Sequence, residues 1–263
     1  MLKKLLKYDL QYKFKGLSIF YILAIFFSIL TRIFLNIENS FIMNIIGKIC
    51  SGVTISMIFN IIINNLMRLW ARFSNNLYKD ESYLTHTLPI DKKTLYLSKA
   101  LSSIITLFTS ILIIGLTLFI AYYSKETIEM IKNFLLPVAS AYNTHIIIII
   151  IAFLFIIFLE LANALQAGYT GIILGNKMNN NKTAFSVLYG FITYIVTQLI
   201  IILVVFIFAL FNKDIMNLFY TTEFITVDII KTLIYLAIAV YISTLIILYF
   251  VNIKLFKQGV NVD

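Results

Sequence analysis

The sequence predicts an all-α integral membrane protein with six spanning helices, and three observations carry that reading. The 263 residues are 61% hydrophobic and only 13% charged, with a mean hydropathy of +0.95, a composition outside the range of water-soluble domains. Apolar runs of about 20 residues recur, and at about 1.5 Å per residue each crosses a hydrocarbon core of about 30 Å as a helix. The runs lack the alternation of barrel strands, and lipid offers the backbone no hydrogen bonds, which leaves helices as the spanning element.

Taken in order, the spans are expected at residues 16–37, 41–67, 95–123, 143–167, 185–211 and 229–251. The first is preceded by the basic stretch "MLKKLLKYDLQYKFKG". No small-x-small cleavage pattern follows, so this is read as a retained first helix rather than a signal peptide. Within residues 1–15, Leu2, Leu5, Leu6 and Leu10 fall on one helical face with lysines beside them. That spacing predicts an amphipathic helix along the membrane surface, with a frayed cationic tail as the other reading. Residues 16–263 then form a single six-helix domain. The only cysteine, Cys50, lies in the second span and can form no intramolecular disulfide.

Six spans put both termini on one side, and the Lys/Arg distribution chooses it. Lys3, Lys4, Lys7, Lys13 and Lys15 flank the first span; Arg68, Arg72, Lys79, Lys92, Lys93 and Lys99 lie between the second and third. Lys177 and Lys182 follow the fourth, and Lys254 and Lys257 close the chain. The opposite side and the outer helix ends hold only Arg32, Lys48, Lys125, Lys132, Lys213 and Lys231. Both termini are therefore expected in the cytoplasm. The net charge of +9 follows from this topology and from anionic inner-leaflet lipid. It does not indicate nucleic acid, because the basic residues are spread over four segments with no soluble domain to present them.

The longest inner connection, residues 68–96, reads "RLWARFSNNLYKDESYLTHTLPIDKKTLY". Trp70 between two arginines suits the interface at the end of a span. The stretch from Asn75 has helical residues with Leu77, Tyr78, Leu84 and Leu88 as apolar anchors. Pro89 stops it, and Asp91 is placed to cap the helix that rises into the third span. A short helix lying across the inner face is expected, with a solvated connector as the alternative.

That acidic, Tyr/Leu-bearing segment followed by "TLPIDKKTLYLSKAL" leading into a span resembles the first cytoplasmic loop of ABC-2 type ATP-binding-cassette transporter permeases, in the Gram-positive versions linked to antimicrobial peptide export or resistance. The basic amphipathic start, the six-helix count and the short cationic C-terminus "NIKLFKQGVNVD" are similar as well. The resemblance implies a permease subunit whose loop is a coupling helix docking on a separate ATPase. Carried onto this chain, the docking residues are Tyr78, Asp80, Glu81, Tyr83, Leu84, His86, Leu88 and Pro89. It further implies two copies of a cytoplasmic ATPase that hold ATP and Mg, a homodimer or a heterodimer with a second permease, and a peptide or other amphipathic cargo. The connections "SKETIEMIKNFLLP" and "NKDIMNLFYTTEFITVD" are too short for an external sensor domain; they are amphipathic segments that cap a pore or rest on the outer leaflet.

Motifs that would assign chemistry to this chain are absent. No phosphate-binding Gly-x-x-x-x-Gly-Lys-[Ser/Thr] loop occurs, and "IIGKIC" around Lys48 lacks both the upstream glycine and the hydroxyl. His-Glu-x-x-His and Gly-x-Ser-x-Gly are also missing, and His86 and His145 are too few and too far apart for a usual zinc site. The chain is thus expected to bind no cofactor or metal and to have no catalytic residues.

Inside the membrane, Glu160 stands about four residues inward of the middle of its span. A charged carboxylate there costs about 2.5 to 3.5 kcal/mol on insertion scales, so it must face protein or water or carry a proton. It reads either as a gate or substrate contact, together with Asn163 and Gln198, or as a packing residue bonded to Asn163 or Gln166. Lys48 and Arg32 lie in outer halves of their spans and can extend outward. Ala164 and Gly168, and Ala167, Gly171 and Gly175, recur at four-residue spacing. Such rows let another helix approach closely, within the subunit or across a dimer. Gly190, Thr197, Gln198, Asn60, Asn64 and Asn65 give two further helices polar faces. The rival to an exporter subunit is a membrane scaffold or peptide-sensing subunit that binds a partner through the same loop.

Overall fold

The computed structural model describes residues 1–37, 40–212, 215–216 and 227–258. Its helices are α1 (Leu2–Leu35), α2 (Phe41–Tyr78), α3 (Ser82–Thr87), α4 (Lys92–Tyr122), α5 (Lys125–Ala141), α6 (Ile146–Gly175), α7 (Lys182–Phe211) and α8 (Val227–Lys257). No strand occurs among the described residues. Six helices, all but α3 and α5, are long and apolar enough to cross a membrane, and the chain is a multi-pass membrane protein. The connection after α7, expected to be amphipathic, lies largely outside the described residues.

All six expected spans are helices, and each overruns its apolar run at the Lys/Arg-rich end. There α1 begins at Leu2, α4 at Lys92 and α7 at Lys182, while α2 continues to Tyr78, α6 to Gly175 and α8 to Lys257. At the other end every helix stops within about a turn of the apolar run. Hydropathy marks only the part that needs lipid; backbone hydrogen bonding carries the helix on wherever a side-chain face still has something to pack against.

The chain divides into two compact units, residues 1–130 and 131–263. In the first, α1 packs against both α2 and α4. Leu17, Tyr21, Ala24 and Ile61 form a buried cluster with Phe14, Phe20, Met57, Ile113 and Ile114 against it. Polar side chains cross-link the same helices. The Tyr21 and Ser110 hydroxyls are 2.6 Å apart, Asn65 Nδ2 donates to Ser110 Oγ at 2.6 Å, and the Thr31 and Thr54 hydroxyls meet at 3.0 Å. In lipid such bonds contribute only about 0.6 kcal/mol each on average. Their value lies in fixing helix rotation. Asn60 and Asn64 bond only within α2, so of the three asparagines proposed to make a polar face only Asn65 reaches another helix.

Residues 2–15, set apart in the sequence as an interfacial segment, continue without a break into the span: α1 is one 34-residue helix. The loop helix also differs from expectation. Residues 75–78 belong to α2, the chain breaks at residues 79–81, and only Ser82–Thr87 form α3. Pro89 ends it as expected, with Leu88 extended. Asp91 occupies the N-cap position of α4 in extended conformation, yet its side chain makes no capping bond.

In the second unit, α6 packs against α7 and α8. Separately, α5, which joins the third and fourth spans, carries exposed Ile128, Met130, Ile131 and Phe134. It is the amphipathic segment that the sequence predicted.

Candidate functional site

The Lys/Arg-rich end of the first unit concentrates polar chemistry. Asp9 and Lys13, one helical turn apart on α1, are both buried, as is Lys99 on α4. Lys99 Nζ donates to Asp9 Oδ1 at 2.6 Å, and Ser98 Oγ donates to Asp9 Oδ2 at 3.3 Å. Lys13 Nζ donates to the hydroxyls of Ser102 at 2.6 Å and Ser103 at 2.7 Å. Three ionisable groups are therefore withdrawn from water with hydrogen bonds on each, the condition under which such burial is tolerated. Composition hid this cluster, since Lys13 and Lys99 counted only as markers of sidedness. The signal that could have exposed it is the acid at a four-residue spacing from a lysine in "YDLQYK", together with the hydroxyl-rich "SKALSS".

One step outward, the same end carries the loop. The Arg72 guanidinium stacks 3.8 Å over the Tyr12 ring and pairs with the Glu81 carboxylate, to which Asn76 Nδ2 also donates at 2.8 Å. Burial by itself would raise the Glu81 carboxyl. The hydrogen bonds from Asn76 and Arg72 and the Arg72 charge outweigh it and hold the group below its ordinary value. His86 Nε2 meets the Leu77 carbonyl at 3.0 Å, and Ser82 and Thr85 are buried. A junction of this kind clamps a six-residue helix that could not persist alone. Arg72 Nε, Asn76 Oδ1 and Ser82 Oγ are buried there without a hydrogen bond.

The eight residues expected to dock a partner thus divide. Tyr78 is buried against Phe73, while Glu81 and His86 hold α3 to α2. Asp80 and Pro89 are exposed, and so are three apolar side chains: Leu84 at 75%, Tyr83 at 63% and Leu88 at 43%. The inward residues make the loop stiff, and the outward ones give it a cluster of apolar knobs.

In the second unit, Glu160 of α6 receives two hydrogen bonds on one oxygen. The Tyr194 hydroxyl donates to Oε1 at 2.6 Å and Gln198 Nε2 at 2.9 Å, both from α7. Neither Asn163 nor Gln166, expected beside it, is its partner. Asn163 bridges to the Tyr241 carbonyl at 3.0 Å and accepts from Thr244 at 2.9 Å, while Gln166 accepts from Asn252 at 3.1 Å. Side chains three and six residues further along α6 from Glu160 have turned toward α8, and Glu160 itself toward α7. Glu160 Oε2 is buried, and the Tyr241 hydroxyl of α8 lies within reach of the carboxylate.

The small-residue rows form the seam between α6 and α7. A Cβ on Gly171 would overlap the backbone of Gly190 and Ser186, and one on Gly175 would overlap Ser186. A Cβ on Gly190 would stand 3.6 Å from Gly168 Cα and 3.8 Å from the Ala167 carbonyl. Of the row, Ala164 is half-buried. Ala167, Gly168, Gly171 and Gly175 thus meet α7 of the same chain.

No group of three His, Cys, Asp or Glu side chains able to hold a metal occurs among the described residues. Comparison with protein-family models, with curated proteins and with solved structures finds no match.

Proposed function

We propose that this chain is the transmembrane subunit of an ATP-driven exporter of the ABC-2 permease type, with the α2–α4 connection as its docking element for a separate ATPase. The observation that carries the reading is the division within that loop. Arg72, Asn76 and the Leu77 carbonyl grip α3 through Glu81 and His86, while Tyr83, Leu84 and Leu88 stand exposed. A connector serving only to join two spans needs neither feature. An element that passes force to the spanning helices needs both a stiff mounting and apolar anchors. Asp80 and Pro89 complete the outward face, and Tyr78, Glu81 and His86 act as its mounting rather than as contacts.

In this reading both termini and the loop lie in the bacterial cytoplasm. Exposed Lys3, Lys4, Lys7 and Lys15 on the first turns of α1 meet anionic inner-leaflet lipid. Two copies of the ATPase supply ATP and Mg to a homodimer or to a heterodimer with a second permease. Nucleic acid is not a partner. The cargo is an amphipathic or antimicrobial peptide or another hydrophobic molecule, with Glu160, Asn163 and Gln198 near its path.

The test is purification of the chain from membranes together with neighbouring gene products, then of the Leu84→Asp/Leu88→Asp variant. An ATPase should accompany the wild type and be lost from the variant, while membrane insertion is unchanged. Copurification that leaves ATP turnover unaltered would favour a scaffold or peptide-sensing subunit, and absence of any ATPase from the wild type would overturn the exporter reading.

A further inference from the structure

Two arginines one helical turn apart on α2 lie along α1, and only one of them has a counter-charge among the described residues. Arg72 stacks on Tyr12 and pairs with Glu81. Arg68, about 6 Å back along the helix toward its span, lies 5.4 Å over the Phe20 ring and beside Gly16, where a Cβ would stand 2.6 Å from Nη1. Tyr12, Gly16 and Phe20 thus form one row at four-residue spacing on α1 that seats both guanidiniums. Arg68 is exposed, and neither ion pair among the described residues includes it. Its level in the membrane follows from two separate boundaries. The first apolar run begins at Gly16 and the second ends at Met67, and the fold puts Gly16 against Arg68. Both helices therefore pass from hydrocarbon to headgroups at this contact. A guanidinium there presents a flat fork of donors at the depth of lipid phosphates, the geometry that holds phosphate through two parallel hydrogen bonds. The ring beneath it and the missing side chain at Gly16 position the fork, so less rotamer freedom is lost when a phosphate binds.

We propose that Arg68, seated on Phe20 and Gly16, is a binding site for the phosphate of an anionic phospholipid on the Lys/Arg-rich side of the membrane. The guanidinium donates to two phosphate oxygens while the acyl chains stay in the surrounding hydrocarbon. This differs from the diffuse attraction of the exposed lysines of α1, because it depends on one guanidinium and on the surface that holds it. The site stands on α1 and α2 of the first unit and does not rest on the exporter reading. It is therefore tested without any ATPase, and failure here leaves the docking proposal untouched.

The experiment titrates the full-length chain in dodecylmaltoside with dioctanoylphosphatidylglycerol, using dioctanoylphosphatidylcholine as the counterpart of no net charge, and counts bound lipid by native mass spectrometry. One phosphatidylglycerol per chain should bind ahead of the rest, and phosphatidylcholine should show no such step. Arg68→Gln should weaken that first step by about tenfold, as loss of a charge-assisted hydrogen bond does. Gly16→Val keeps every charge but pushes the guanidinium off its seat, and it should weaken the step by about threefold or more. First-step binding equal to wild type in either variant would overturn the proposal: in Arg68→Gln because the lysines then suffice, in Gly16→Val because the seat then contributes nothing. Should the variants fail to fold, the wild type still decides. Its thermal unfolding midpoint should rise with phosphatidylglycerol and not with phosphatidylcholine or with sodium phosphate at equal concentration. No rise overturns the site, and an equal rise with inorganic phosphate overturns the assignment to lipid.

Discussion

The two halves of this chain hold three long helices together by opposite means. In residues 1–130, α1 is fastened to α4 at its Lys/Arg-rich end by buried Asp9, Lys13 and Lys99 with their serines. In residues 131–263, α6 is fastened to α7 by absence of side chain, glycine backbone against glycine and serine backbone, and to α8 by neutral amides and hydroxyls. Both fastenings lie toward the Lys/Arg-rich helix ends, so depth in the membrane does not separate them; the second unit uses close van der Waals packing and neutral hydrogen bonds, which serve because lipid tails give no hydrophobic drive for two helices to meet. Glu160 is the exception in the second unit.

The contrast is tested hardest at Asp9. Asp9→Ala leaves Lys13 and Lys99 buried without their carboxylate, and a loss of about 3 to 5 kcal/mol is expected from denaturant unfolding in detergent. The double change Asp9→Leu/Lys99→Met removes both charges of the pair and should recover most of that loss. A single variant no less stable than wild type would show that the cluster does not hold the unit.

Next in size is the glycine seam. Gly171→Val drives a side chain into the Gly190 and Ser186 backbone, and overpacking of this kind costs about 1 to 3 kcal/mol, more where backbone must move. Gly190→Ala, whose new methyl would meet only ordinary contacts, should be close to neutral. Thermal midpoints that fail to separate the two would break the description of the second unit as backbone-packed.

The smallest expected effect is at the α2–α3 junction. The Glu81 carboxyl is held below its ordinary value, so its contribution is fully present above the ordinary carboxylate range and is lost as pH falls through the folded value. The thermal midpoint of wild type should exceed that of Glu81→Gln at neutral pH by a modest margin. The two should converge as pH falls through that lowered folded value. A difference that persists in acid would mean that Glu81 acts through hydrogen bonding and not through its charge to Arg72.

The sequence showed the loop at residues 68–96 and its apolar anchors, but not which way they point. Leu77 and Tyr78 were grouped with Leu84 and Leu88 because all four suit one amphipathic segment. The break at residues 79–81 assigns the first pair to the end of α2, where they are buried, and leaves the second exposed. Glu160 was legible as a costly residue, yet its partners were not. Asn163 and Gln166 are its neighbours along the chain, and the helix turns them to α8, whereas Tyr194 and Gln198 arrive from more than thirty positions away.

By itself the sequence determined the six spanning helices and where each stops at the Lys/Arg-poor end, because hydrocarbon thickness and the need to satisfy every backbone group act on each segment separately. It also determined that glycine and alanine would line a close helix contact. Tertiary structure alone decided that the contact is with α7, that two of the lysines are buried partners of Asp9 and the serines rather than solvated charges, and that Glu160 is held by Tyr194 and Gln198. Those outcomes depend on how each helix is rotated and which helix lies beside it, and rotation is set by pairs of residues far apart in the chain.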